Sequence, residues 1–210
     1  MATKVYPFLA RGVFGTYGYF IVDEGTGHAL LIDPGSQPEQ FLDAVHENGW
    51  TVEKILLTHG HFDHMGAADA LRREWSAPIY AHYLSPEYLE DTMLNLSADH
   101  GLDITLYDTE PLKEGDRIAL DAAPDVAVSV LHTPGHTDDS VVYVFDGEKA
   151  AFVGDTVYEG GPGLTVFPTG DPYKLRESIH EKVLELPDDT ALLSGHSRPI
   201  SVAELRRVVR

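Results

Sequence analysis

The sequence predicts an α/β protein, and three observations carry that expectation. Apolar runs of strand length recur along the chain. Segments with helical spacing and helix-start signals lie between them. Several of the runs end just before a loop that carries histidine or aspartate. Loops at strand ends, positioned by a rigid scaffold, are where sites are built. Strand edges from two sheets meeting at one rim could bring these loops together.

Taken in order, residues 5–9, 17–22 and 29–32 are strand-like, with Gly25-Thr26-Gly27 and Asp33-Pro34-Gly35 as turn signals. Phe41, Leu42 and Val45 fit one face of a helix that ends near Asn48-Gly49. Residues 55–57 read as a short buried strand running into a histidine cluster. A helix is expected after it as far as Trp75, then a strand at 78–81. Ser85-Pro86-Glu87 has the form of a helix start, with Ser at the cap and Pro in the first turn. In the second half a strand at 126–131 leads to the loop of His136. Strands at 141–145 and 150–153 bracket an Asp146-Gly147 hairpin signal, with Asp155 at the exit. Asp171-Pro172 opens a helix to about Leu186, a strand at 191–193 precedes His196, and Ser201-Val202-Ala203-Glu204 has the form of a capping box.

Composition narrows the function classes. The chain has 210 residues, 43% of them hydrophobic and 23% charged, within the range of a globular protein, and residues 1–210 are read as one domain. Its 34 acidic against 15 basic side chains give a formal charge of −19, which disfavours polyanionic partners, so nucleic acid is not expected. There is no cysteine, hence no disulfide and no thiolate ligand. No membrane-length apolar stretch and no signal-like N-terminus is seen, so a cytoplasmic protein with no membrane partner is expected.

Five histidines and two aspartates fall in an order suited to metal binding. They are His59, His61, Asp63 and His64 in Thr58-His59-Gly60-His61-Phe62-Asp63-His64, then His136, Asp155 and His196. Imidazole and carboxylate suit zinc, and also iron or manganese. One metal needs only three or four protein ligands, so seven candidates point to two metals sharing a bridge. Two adjacent metals clamp a water-derived nucleophile and polarise the group it attacks. The isolated His28, His46, His100 and His180 are read as surface or satisfied core residues. Asp33 is either a turn residue or an acceptor orienting a histidine ligand. His82 and His132 are read as packing residues near strand ends, and Tyr158 either contacts substrate or packs. Gly160-Gly161-Pro162-Gly163 reads as a loop.

The motif His59-x-His61-x-Asp63-His64, followed by His136, Asp155 and His196, resembles that of the metallo-β-lactamase-fold hydrolases over essentially the whole chain. The resemblance implies an αββα sandwich with the metal site at one edge of the two sheets. It implies one metal on His59, His61 and His136, a second on Asp63, His64 and His196, and Asp155 bridging them. Thr58 to Gly66, Leu94-Asn95-Leu96-Ser97, Thr133-Pro134-Gly135-His136-Thr137 and Phe152-Val153-Gly154-Asp155-Thr156 resemble the glyoxalase II-like branch, the hydroxyacylglutathione hydrolases, in a single-domain form. Three departures concern substrate recognition rather than metal. The chain runs only a short way past His196, where full-length enzymes carry a helical domain that helps to bind glutathione. Gly163-Leu164-Thr165-Val166 stands where the branch usually has Gly-Arg-Thr-Asp, and Gly195-His196-Ser197 replaces a usual Gly-His-Gly.

The expectation is therefore a hydrolase with two Zn2+ ions, iron or manganese also being suited, that acts on a small thioester or ester. A hydroxide bridging the metals would attack the carbonyl carbon, with Asp63, Asp155 and Tyr158 as candidate catalytic residues. A free thiol has a pKa of about 8.5, so thiolate leaves without a protonating residue. Acyl-homoserine lactonases resemble the chain too; they keep the bridging aspartate and a tyrosine three residues later, where Tyr158 follows Asp155. Iron-dependent persulfide dioxygenases share the ligand motif but use one iron. A non-catalytic sensor on this scaffold would show a damaged ligand set, and no position is missing here.

Overall fold

Alternation along the central strands sorts the apolar side chains into layers. The structure is a computed structural model and describes residues 2–209. Strands β1 (Thr3–Arg11), β2 (Gly15–Asp23) and β3 (His28–Ile32) run antiparallel. Helix α1 (Pro38–Asn48) then crosses to β4 (Thr51–Leu56), parallel to β3. Two helices follow, α2 (Phe62–Met65) and α3 (Ala68–Trp75), leading to β5 (Ile79–His82). The one-turn helix α4 (Pro86–Leu89) and a long loop lead to β6 (Glu110–Leu112), which completes a six-stranded sheet in the order β1-β2-β3-β4-β5-β6.

The second half builds another sheet. Strands β7 (Arg117–Ala119), β8 (Ala127–His132), β9 (Val141–Phe145) and β10 (Ala150–Gly154) form an antiparallel meander. A two-residue ribbon, β11 (Val157–Tyr158) and β12 (Gly161–Pro162), follows. After α5 (Pro172–Glu181), β13 (Ala191–Ser194) pairs parallel with β10, and β14 (Ile200–Ser201) and α6 (Val202–Val208) close the chain. The sheet order is β14-β13-β10-β9-β8-β7.

Successive strand residues point to opposite faces. Tyr19, Ile21, Leu30 and Ile32 of the first sheet meet Val128, Val130, Tyr143 and Phe152 of the second. Phe20, Val22 and Leu31 face the other way, onto Phe41, Val45 and Leu71 of α1 and α3. Val142, Ala151 and Val153 face Leu175, Ile179, Val202 and Leu205 of α5 and α6. These three apolar layers make the αββα sandwich that the resemblance implied.

Local signals behave as their chemistry requires, with five differences: the helix opened by Asp171-Pro172 ends at Glu181 and passes into a 3-10 turn over Val183–Glu185, Gly161–Pro162 of the expected glycine loop pairs as β12, and three more follow. Gly49 ends α1 in the left-handed conformation at φ 67°, Asp171 accepts from the N–H groups of Tyr173 and Lys174, and the Ser201–Glu204 capping box forms. The expected helix from the histidine cluster to Trp75 is instead two pieces. The Gly35 turn enters the gap: Gly35 N donates to His64 O and Gly35 O accepts from Ala67 N. Ser85 sits at the start of α4 but does not cap it, because its hydroxyl donates to the buried Asp139 carboxylate at 2.7 Å. The hairpin between β9 and β10 forms, but through a 3-10 turn over Asp146–Glu148 with Lys149 at φ 49° rather than a two-residue Asp-Gly turn. Among the described residues no helix is long and apolar enough to cross a membrane.

Candidate metal centre

All seven candidate ligands converge at one edge of the sandwich. The loop leaving β4 supplies His59, His61, Asp63 and His64 from the first sheet. The loops leaving β8, β10 and β13 supply His136, Asp155 and His196 from the second. Two buried tyrosines tie each sheet to the loop of the other. Tyr143 Oη donates to Leu57 O at 2.7 Å, just before His59, and Tyr19 Oη donates to Ser194 O at 2.6 Å, just before His196.

The ligand atoms form groups able to hold a metal: His59, His61 and His136; Asp63, His64 and His196; and His59, His64 and Asp155. His61 Nδ1 lies 3.0 Å from His59 Nε2 and 3.0 Å from His136 Nε2. His64 Nε2 lies 3.3 Å from His196 Nε2, and Asp63 Oδ2 lies 3.1 Å from His196 Nε2. Asp155 stands between the two trios. Its Oδ1 is 3.3 Å from His64 Nε2, and its Oδ2 is 3.6 Å from His136 Nε2 and 3.5 Å from His196 Nε2. Zinc bonds of about 2.0–2.1 Å at tetrahedral angles space ligand atoms about 3.3 Å apart. The observed spacings bracket that edge, so the donor set fits a pair of such ions. Asp155 Oδ1 is also buried without a hydrogen-bond donor, a costly state for a carboxylate oxygen that a cation would relieve.

Four of the imidazoles are fixed from behind. His64 Nδ1 donates to Asp33 Oδ2 at 2.9 Å, His136 Nδ1 to Leu164 O at 2.7 Å and His196 Nδ1 to Gly15 O at 3.0 Å. Thr58 Oγ1 donates to Asp33 Oδ2 at 2.6 Å, so at 3.1 Å it accepts from His59 Nδ1. Each bond favours the tautomer with its proton on Nδ1, so that Nε2, once free of its own proton, would turn a lone pair to the centre. His61 is the exception: Nδ1 faces inward and its buried Nε2 has no partner. Asp33 is thus both readings at once, a turn residue at φ 48° and the acceptor for a histidine.

Electrostatics favour positive charge at the centre. Burial and the neighbouring imidazoles hold His59 well below its usual range and take His61 down to about 3. Burial works against Asp63 and Asp155 ionising. The charge of His64 outweighs it with help from His196 for Asp63, lowering it to about 2, and from His136 and His196 for Asp155. Burial lowers His64, but Asp155, Asp63 and Asp33 together raise it well above the ordinary value. Two neutral imidazoles, His59 and His61, thus stand beside two ionised carboxylates, an arrangement suited to a cation. Tyr158 Oη donates to Asp155 Oδ2 at 2.7 Å rather than merely packing. Burial and the Asp155 charge raise its pKa, so it stays a phenol.

Close backbone approach is needed at Gly195, where a Cβ would lie 2.4 Å from His64 Cε1. His82 and His132 stack on each other with centroids 4.1 Å apart, away from the ligand set. Of the walls of the cavity in front of the centre, the sequence had tied only Leu164 to substrate recognition; the aromatic walls were missed. Phe14, Phe62, Leu96, His100, Leu164 and Phe167 line a volume of about 320 Å3. His100, read as an unremarkable surface or core residue, is among them. A signal existed for Phe14, an aromatic side chain beside glycine in a strand-to-strand turn. Thr16 was missed too; its hydroxyl donates to Asp63 Oδ2 at 2.9 Å.

The metallo-beta-lactamase superfamily model matches residues 11–196. Hydroxyacylglutathione hydrolase GloC of Haemophilus influenzae is 33% identical over 183 residues, which cover 86% of this chain and 85% of that protein. The crystal structure of BLEG-1 B3 metallo-beta-lactamase aligns with a TM-score of 0.89 at 33% identity, over 96% of this chain and 95% of that one. The crystal structure of TTHA1623 in a di-iron-bound form aligns with a TM-score of 0.85 at 30% identity, over 98% of each chain.

Proposed function

This chain belongs to the metallo-beta-lactamase superfamily, and on that footing we propose that it is a dinuclear metal-dependent hydrolase of small thioesters. The observation that carries the reading is the pair of trios meeting at Asp155. In this reading His59, His61 and His136 would hold one ion and Asp63, His64 and His196 the second, with the Asp155 carboxylate available to both. Such a pair supplies Lewis acidity for an acyl carbonyl and a water-derived nucleophile at neutral pH.

The protein's own groups have defined tasks. Asp33, Thr58, Leu164 and Gly15 hold four imidazoles in the ligating tautomer. Tyr158 keeps its proton and fixes the Asp155 carboxylate, while Thr16 fixes that of Asp63. In the reaction, oxygen from water bonds to the acyl carbon and the C–S bond breaks. A carboxylate, a thiol and one proton result. With a thiol pKa of about 8.5 the leaving group needs no acid. An amide nitrogen does need one, so a thioester is the better substrate than a β-lactam despite the likeness to BLEG-1.

Zinc is the proposed metal. The likeness to a protein crystallised in a di-iron-bound form supports a second reading in which iron fills the same ligands. Elemental analysis of freshly purified protein, expressed with balanced zinc and iron, tests both, with about two ions per chain expected. A single, iron-dominated ion would overturn the dinuclear hydrolase in favour of oxygenase chemistry. Kinetics with a thioester, a homoserine lactone and a β-lactam then rank the substrates. A higher kcat/KM for either of the others would overturn the thioester assignment.

A further inference from the structure

The cavity in front of the metal centre has two apolar walls that the ligand chemistry does not use. On one side Phe14, Phe62 and His100 form a cluster of rings. Phe14 lies 6.0 Å from Phe62 and 5.1 Å from His100, centroid to centroid, and Phe62 lies 5.3 Å from His100. On the other side Phe167 packs edge-on against His61 and His136 at 5.5 and 5.7 Å, with Leu164 beside it on the cavity wall. The lips are apolar and open to solvent: Phe14 is 45% and Leu164 52% exposed. Leu96, which completes the lining, sits at φ 70°. It is held there by Asn95, whose side chain donates to Ile104 O and accepts from Ser97 N. A leucine kept in a left-handed conformation by buried neighbours marks a residue whose placement matters.

A second hollow, of about 260 Å3, adjoins the first. Phe14 and Phe62 line both, and Val13, Leu102 and Ile104 extend it. Neither hollow is lined by a lysine or arginine. Outside the ligand set, the carboxylate in the first is Asp99. A substrate bearing carboxylates or phosphates would find no lysine or arginine to pair with on these walls, in a protein of charge −19. An apolar chain would find aromatic and aliphatic surface from the metal edge outward.

We propose that the substrate carries an apolar acyl chain on an uncharged leaving group. The chain lies between the Phe14–Phe62–His100 wall and Leu164–Phe167, and longer chains pass Phe14 towards Leu102 and Ile104. The inference rests on the hydrolase reading for its chemistry, and on the lining alone for its specificity. Each methylene buried along such a wall strengthens binding by up to about fourfold.

The test uses metal-loaded protein and N-acetylcysteamine thioesters from acetyl to decanoyl, with glutathione thioesters of the same acyl groups for comparison. The expected result is a rise in kcat/KM of at least about tenfold from acetyl to octanoyl, with the uncharged thiol preferred at every length. Phe14→Ala and Leu164→Ala should each lower the octanoyl value more than the acetyl value. A binding measurement stands beside the kinetics: equilibrium dialysis of the metal-free protein with the non-hydrolysable S-octyl thioether of N-acetylcysteamine, with weaker binding expected for Phe14→Ala. Turnover without length dependence, or preference for the glutathione esters, overturns the apolar subsite and leaves the hydrolase reading standing. Tight thioether binding that Phe14→Ala weakens, with no turnover of any thioester, supports the subsite and overturns the hydrolase reading.

Discussion

Asp33 accepts a hydrogen bond from His64 Nδ1 at 2.9 Å while its own backbone stands in the left-handed region at φ 48°. The same carboxylate receives Thr58 N at 2.8 Å and Thr58 Oγ1 at 2.6 Å. One side chain thus sets the turn after β3, the start of the histidine loop and the tautomer of a buried imidazole.

Asp33→Asn separates these tasks. Asparagine tolerates the left-handed backbone and can still accept from Thr58 N. Its amide N–H2, turned towards His64, would favour a lone pair on Nδ1 and a proton on Nε2, the wrong tautomer for a ligand. Metal affinity should fall about 10- to 100-fold, read by chelator competition, with the circular dichroism spectrum unchanged. Wild-type affinity at both positions would show that the bond does not orient His64.

Tyr158→Phe removes the donor on Asp155 Oδ2. If the phenol fixes the carboxylate, kcat should drop about tenfold or more at unchanged metal content, since a bond to a charged group contributes about 1.5–3 kcal/mol. The change should appear in kcat rather than KM. A rise in KM alone would reassign Tyr158 to substrate binding.

Gly195→Ala places a methyl 2.4 Å from His64 Cε1 and 2.9 Å from Asp155 Oδ1. Overpacking of this kind costs about 1–3 kcal/mol, and here the strain falls on two ligand candidates. Both Tm and metal stoichiometry should decrease. A variant with full metal content and unchanged Tm would mean that the loop after β13 shifts freely, against the hydrogen bond that Gly195 O accepts from Tyr17 N at 2.7 Å.

Asp139 gives a prediction for pH. It is fully buried, and burial pushes its carboxyl up to about 6, against hydrogen bonds from Thr137, Ser85 and Gly60 N that favour the ionised form. A carboxyl whose pKa is raised on folding stabilises the fold at pH values below its unfolded pKa, 3.8. That contribution is lost as pH rises through about 6, and the difference amounts to roughly 3 kcal/mol. In urea titrations of metal-free protein, Asp139→Asn should gain stability relative to wild type between pH 4 and pH 7 by up to about that amount. Parallel profiles would show that Asp139 does not titrate in this range.

The cluster of candidate ligands was legible in the sequence because each announces itself through residue type and lies in the loop after an apolar strand. Strand alternation made the layers legible for the same local reason. What was not legible depends on distant partners. The break before α3 comes from Gly35, about thirty positions away in the chain, entering between His64 and Ala67. Ser85 has the sequence of a cap, yet a buried carboxylate from the other half of the chain takes its hydroxyl. Leu164 was noted as a substitution in a substrate loop, but its carbonyl holds His136, a task any residue type could perform. The cavity wall joins Phe14, Phe62, His100 and Phe167 from four separate segments, and no window of sequence contains it.

Each ligand trio takes two side chains from the first sheet and one from the second: His59 and His61 with His136, Asp63 and His64 with His196. The first sheet is complete by Leu112 and the second begins at Arg117, so the chain divides between them. Neither half owns a full trio. A bound ion pair would act as a rivet through the seam, resisting shear of one sheet over the other. Occupancy of the centre would then report how well the two halves are mated, so damage to the inter-sheet core at Tyr143 or Phe152 would register first as lost metal.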